Sequence, residues 1–102
     1  MKIKKYIISE GPEGHEPRYM ARVFPTSETF ETVACELLRV NKHFIHKDPI
    51  YLAEIHSAGF CYIGGEDNPD GSFNVVWKCF GEAHDLKIGT KIDSAQILNA
   101  LM

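Results

Sequence analysis

Residues 60–80, FCYIGGEDNPDGSFNVVWKCF, decide the fold. Phe60-Cys61-Tyr62-Ile63 and Phe73–Phe80 are rich in aromatic and β-branched side chains. Between them runs Gly64-Gly65-Glu66-Asp67-Asn68-Pro69-Asp70-Gly71, a cluster of turn formers. Two apolar segments around such a cluster read as an antiparallel hairpin. Alternation along the second segment puts Phe73, Val75, Trp77 and Cys79 on one face and Asn74, Val76 and Lys78 on the other. The first face is the expected core face, buried beneath a helix through Phe30, Val33 and Leu37.

Outward from this hairpin, the chain repeats the pattern at its start. Residues 2–9 (KIKKYIIS) and 17–24 (PRYMARVF) read as two strands joined by the loop Glu10-Gly11-Pro12-Glu13-Gly14-His15-Glu16. Three early lysines suit an exposed or edge strand, where charge discourages pairing with another chain. Pro25-Thr26-Ser27-Glu28 then reads as a helix start, with Thr26 or Ser27 as cap and Glu28 and Glu31 near the positive end of the dipole. Phe30, Val33, Ala34, Leu37, Leu38 and Phe44 keep helical spacing, so a helix is expected over about 27–42.

Residues 48–58 allow two readings. Asp48-Pro49 suits a helix start and Gly59 a stop, but Ile50–Ile55 also suits a strand. A strand over about 83–88 and a terminal helix after Asp93 or Ser94, with Ala95, Ile97, Leu98 and Leu101 as its apolar members, complete the chain. Hairpin, helical region, hairpin and helix follow one another without a strand–helix–strand repeat. The expectation is a single α+β domain over 1–102: an antiparallel sheet of four or five strands built from two hairpins, with two or three helices packed on one face.

Composition narrows the function classes. Of 102 residues, 11 are basic and 14 acidic, a net charge of −3, which argues against nucleic acid as a general partner. The basic side chains concentrate in residues 1–51 (eight, against seven acidic), whereas residues 52–102 hold three basic and seven acidic. No apolar run approaches the ~20 residues of a membrane-spanning helix, and Tyr6-Ile7-Ile8 is shorter than the ~7–15 apolar residues of a secretory signal. The cysteines Cys35, Cys61 and Cys79 form neither a disulfide framework nor a zinc pattern. They read as reduced thiols in apolar surroundings, and the chain as cytoplasmic.

Three stretches hold candidate chemistry. His43-x-x-His46, with Asp48 and His56 nearby, could present two imidazoles and a carboxylate to a metal, although no fourth ligand is fixed by spacing. Gly81-Glu82-Ala83-His84-Asp85-Leu86-Lys87-Ile88 resembles the G-x-A-x-D-L-x-I stretch of zinc peptidases of the D-alanyl-D-alanine carboxypeptidase and endolysin type. That resemblance implies Asp85 as a zinc ligand, but Lys78 stands where the family has its first ligating His. Tyr6 and Ser9–Tyr19 resemble the first hairpin of a double-stranded-RNA-binding domain, whose loop would carry His15 into a minor groove. The lysine cluster of that family is replaced here by Thr26-Ser27-Glu28-Thr29.

No phosphate-binding glycine loop, dinucleotide fingerprint or nucleophile elbow is present. The leading expectation is therefore a small non-enzymatic protein acting through a protein–protein surface. One form would be a mobile-element inhibitor or adaptor of a host nucleic-acid-handling or defence complex. The expected partner is an unidentified protein, with no cofactor or metal and with a homo-oligomer left open. The alternatives are a metal-dependent enzyme or metal-binding protein using His43, His46, His84 and Asp85, and an RNA-binding module using the His15 loop. The expected partner-binding residues lie on the two long hairpin loops: Glu13, His15, Glu16 and Arg18 on the first, Glu66, Asp67 and Asp70 on the second.

Overall fold

A computed structural model of the chain describes residues 2–11 and 18–102. Strands β1 (Lys4–Glu10), β2 (Tyr19–Phe24), β3 (Ile55–Asp67) and β4 (Phe73–Phe80) form one sheet in the order β2-β1-β3-β4. All neighbours are antiparallel. Helices α1 (Phe30–Leu38), α2 (Pro49–Ala53) and α3 (Ser94–Leu101) complete an α+β fold, with a small second ribbon of β5 (Glu82–Ala83) and β6 (Ile88–Gly89). The two expected hairpins, β1–β2 and β3–β4, meet where β1 pairs with β3.

Helix α1 starts later and stops earlier than its spacing predicts. Glu28 N–H donates to the Pro25 carbonyl, closing a turn, so the cap falls on Thr29, whose hydroxyl accepts from Thr32 N–H at 3.2 Å. At the far end Arg39 turns left-handed (φ 56°), and Val40 N–H reaches back to the Cys35 carbonyl. That closure ends the helix at Leu38, although the apolar spacing continues. Phe44 consequently stands about half exposed, while Ile45 is buried.

Both readings of 48–58 are partly realised. The Asp48 carboxylate caps Ile50 N–H at 3.1 Å and Pro49 opens α2, but from Ile55 the chain is already strand. Residues 83–88 are no continuous strand: Leu86 and Lys87 N–H groups bond back to Ala83 and His84, making a turn between β5 and β6.

The register of β1 defines two faces. Lys5, Ile7, Phe24, Ala58 and Phe60 share the face that α1 covers with Phe30, Val33 and Ala34. An aromatic run Phe24–Phe30–Phe60–Phe80 crosses it with centroids 5.7–5.8 Å apart. Tyr6, Ile8 and Cys61 point to the opposite face, which α3 covers with Leu98. The helices expected on one face are thus divided: α1 covers one face of the sheet and α3 the reverse.

This corrects the expected burial of β4. Trp77 packs with Tyr6, Ile8, Cys61 and Leu98 rather than beneath Phe30, Val33 and Leu37. Phe73 and Val75 lie on the same face as Trp77 but beyond the reach of α3, each 64% exposed. The physical reason lies in β4 itself. It carries apolar side chains on both faces, Val76 and Phe80 as well as Val75 and Trp77, so alternation alone cannot choose between them.

Candidate protein-binding surface

β3 has 13 residues, which extend over ~43 Å at the usual rise. Its partner on one side, β1, begins at Lys4 opposite Cys61, so beyond that point β3 and β4 continue as a two-stranded arm. The molecule measures 51 × 36 × 18 Å.

At the arm's tip, Gly71 N–H donates to the Asn68 carbonyl at 3.0 Å. Asn68-Pro69-Asp70-Gly71 is thus a β-turn with proline at its favoured second position. Asp70 Oδ1 accepts from Ser72 N–H at 2.9 Å and from Ser72 Oγ at 2.6 Å, and these bonds hold its carboxyl below the usual range. Gly71, at φ +88°, supplies a conformation that other residues rarely adopt.

The three acids expected on this loop therefore differ in role. Asp70 is committed to the turn. Glu66 faces Lys78 at 3.9 Å, and Asp67 is exposed opposite Phe73. Between Ile63 and Val76 the sequence holds these three acids and no lysine or arginine.

The outer edge of β4 is the more informative feature. Asn99 on α3 accepts from Trp77 N–H at 2.8 Å and donates to the Trp77 carbonyl at 2.9 Å. One amide side chain thus satisfies both outward main-chain groups of Trp77, as a further strand would. In an antiparallel pair such groups alternate in direction. With no register shift along β3–β4, the N–H and C=O of Phe73 and Val75 point outward as well. Among the described residues neither has a partner for those groups. Ile63, 54% exposed, adds to the apolar face beside them, and the Phe73 ring lies across Gly65.

Of the residues expected on the other loop, only Arg18 is among the described residues. Glu13, His15 and Glu16 lie outside the described residues. Arg18 is exposed, and its carbonyl accepts from Gly11 N–H at 2.7 Å. Arg18 stands next to β2, the opposite edge strand, where the end of β1 meets the start of β3, and so lies at the other end of the sheet from the arm's tip. There Arg18, Tyr19, Met20, Ile97 and Leu101 line a largely apolar groove of about 850 Å³ between β2 and α3.

Sequence reasoning passed over a second cluster. A register shift between Ile8 and Ser9 leaves His56 as the extra residue of a bulge on β3. Its Nε2 lies 2.9 Å from Asp93 Oδ1, its Nδ1 3.9 Å from Glu10 Oε2, and Tyr19 packs edge-on against it at 5.3 Å. The His56 hydrogen bond holds the Asp93 carboxyl below the ordinary range. Behind it Ser94 Oγ donates to Ser57 Oγ, and the Tyr6 hydroxyl donates to Thr90 Oγ1 at 2.7 Å. Glu10, His56 and Asp93 are too scattered in sequence for any spacing rule to group them.

The other described histidines are dispersed. His46 contacts Glu31 at 2.9 Å, His43 contacts Lys47 at 2.8 Å, and His84 lies 3.3 Å from Glu82. Asp85 accepts from Glu31 N–H at the start of α1. No group of three His, Cys, Asp or Glu suited to a metal occurs among the described residues. No helix there is long and apolar enough to cross a membrane. No protein-family model, curated protein or solved structure matches the chain.

Proposed function

We infer that this chain is a non-enzymatic binding module that engages another protein through the β3–β4 arm. The observation that supports it is the pair Phe73 and Val75: each is 64% exposed, and their outward main-chain groups have no partner among the described residues. A flat apolar edge is an association hazard unless it is covered, and the same chain does cover that edge at Trp77 with Asn99. Leaving the next two outward positions open is consistent with use by a partner. Inhibition or adaptation of a host complex is one form such binding takes. The free cysteines suit a reducing compartment such as the cytoplasm.

The test is capture from the native host with the intact protein, with Val75→Lys, and with Ile92→Lys as a control at a fully exposed residue outside the arm. A partner that is lost with Val75→Lys and kept with Ile92→Lys supports the reading. Capture indifferent to Val75→Lys overturns it.

A further inference from the structure

We propose that Cys61 and Cys79 are a two-thiol redox site: a small-molecule disulfide oxidises them to one cross-strand disulfide, which pins the root of the β3–β4 arm. This goes beyond the protein-binding reading and does not depend on it. The register sets Cys61 directly opposite Cys79. The Trp77 N–H and carbonyl both turn away from β3 to Asn99, so Ile63 and Trp77 face each other without mutual hydrogen bonds. Two residues on, with no register shift, Cys61 and Cys79 form a pair of the same kind. The other side of β3 fixes the same parity. Glu10 N–H donates to the Glu54 carbonyl, so Lys4, of like parity on β1, turns its main chain to β3. Cys61, opposite Lys4, therefore turns its own to β1 and away from β4.

Pairs of this kind bring their Cα atoms to about 4.5 Å, inside the ~4.4–6.8 Å that a disulfide spans. Both side chains pack in one cluster with Tyr6, Ile8 and Leu98. Cys35 packs with α1 on the other side of the sheet. The pair also lies where β1 begins, at Lys4 opposite Cys61, so the new bond joins the strands where the arm leaves the sheet.

The exchange starts at Cys79, which is partly exposed, whereas Cys61 is fully buried. The Cys79 thiolate attacks one sulfur of the small disulfide, and one small thiol leaves with the proton that Cys79 gave up. The Cys61 thiolate then attacks Cys79 Sγ, and the second small thiol leaves with the Cys61 proton. Two protein thiols are oxidised and the small disulfide is reduced to two thiols, with no other reactant. Burial keeps both thiols protonated near neutrality, so closure is slow there and accelerates with pH.

The test is incubation of the native protein with glutathione disulfide at mildly alkaline pH, then intact mass and peptide mapping without reductant. The expected product is lighter by two hydrogen atoms, with Cys61 joined to Cys79 and Cys35 outside the bond. Cys61→Ser should stop at a glutathione adduct on Cys79. In the oxidised protein, amide exchange at Tyr62 and Lys78 should slow roughly tenfold or more and recover on reduction. A glutathione adduct that persists on Cys79 of the unsubstituted chain overturns the proposal. So does a disulfide through Cys35, a disulfide-linked dimer, or a pair that stays unreactive until urea unfolds the protein. A Cys61–Cys79 bond that leaves exchange at Tyr62 and Lys78 unchanged overturns its effect on the arm.

Discussion

Single glycines show where this fold has slack and where it has none. A Cβ on Gly59 would lie 2.6 Å from the Phe80 carbonyl oxygen and 3.0 Å from that of Gly81, both main-chain atoms at the end of β4. A Cβ on Gly65 would come closer still, but to the Phe73 ring, whose side chain is exposed and can swing into solvent. The shorter distance is therefore the cheaper clash. Gly59→Ala should destabilise by about 1–3 kcal/mol or more, as overpacking against backbone does, whereas Gly65→Ala should cost a fraction of that. Urea denaturation of the two variants checks this. Equal losses would mean that the Phe73 ring is held in place rather than free. Neither outcome could be read from the sequence. Gly64-Gly65 looks like part of a turn there, and the arm's length appears only once β1 is seen to begin opposite Cys61.

At the scale of elements, α3 fastens to the sheet through groups that titrate, and each side of neutrality has its own prediction. Burial raises the Tyr6 hydroxyl, pushes the Cys61 thiol to about 12 and pushes Cys79 to about 11. All three are acids that ionise earlier in the unfolded chain, so the stability they contribute is complete below about pH 9 and is lost as pH rises through their folded values. Melting temperature should fall steeply from about pH 9 upward, and Cys79→Ala should blunt that fall. A flat profile from neutrality to strongly alkaline pH would contradict the buried placement of these groups. The same burial makes Cys61 and Cys79 slow to alkylate in the native protein, although they face one another directly across β3 and β4. Asp93 acts with the opposite sign. Its lowered pKa contributes stability above the ordinary Asp range that is lost as pH falls below it, and His56→Gln should reduce that acid sensitivity. Much of this element was legible in advance: Ser94 and Leu98 fall where the sequence places a terminal helix. What it packs against was not. The deciding fact is the parity of Tyr6 and Ile8 against Ile7 in a strand that is apolar on both faces.

For the whole molecule, the contrast is between a sheet covered on both faces and an arm that leaves it. Strands β1 and β3 bury Tyr6, Ile7, Ile8, Ala58 and Cys61, whereas the arm from Ile63 to Val76 contains no buried residue. A two-stranded ribbon without a covered face is marginal in water, so its distal hydrogen bonds should open without the rest of the protein unfolding. Hydrogen exchange on the free protein should accordingly be graded along one continuous hairpin. Inward-pointing amides near Phe60, Tyr62, Lys78 and Phe80 should approach the protection of β1, and those near Gly64, Glu66, Asn74 and Val76 should exchange orders of magnitude faster through local opening. Asn99→Ala should extend the fast zone inward, because it releases the main-chain pair at Trp77 that anchors the arm to α3. Uniform protection from Phe60 to Glu66 would show that the arm is rigid without a partner. The gradient is also what the protein binding proposed above would act on, since contact at Phe73 and Val75 adds interactions where the free arm has fewest.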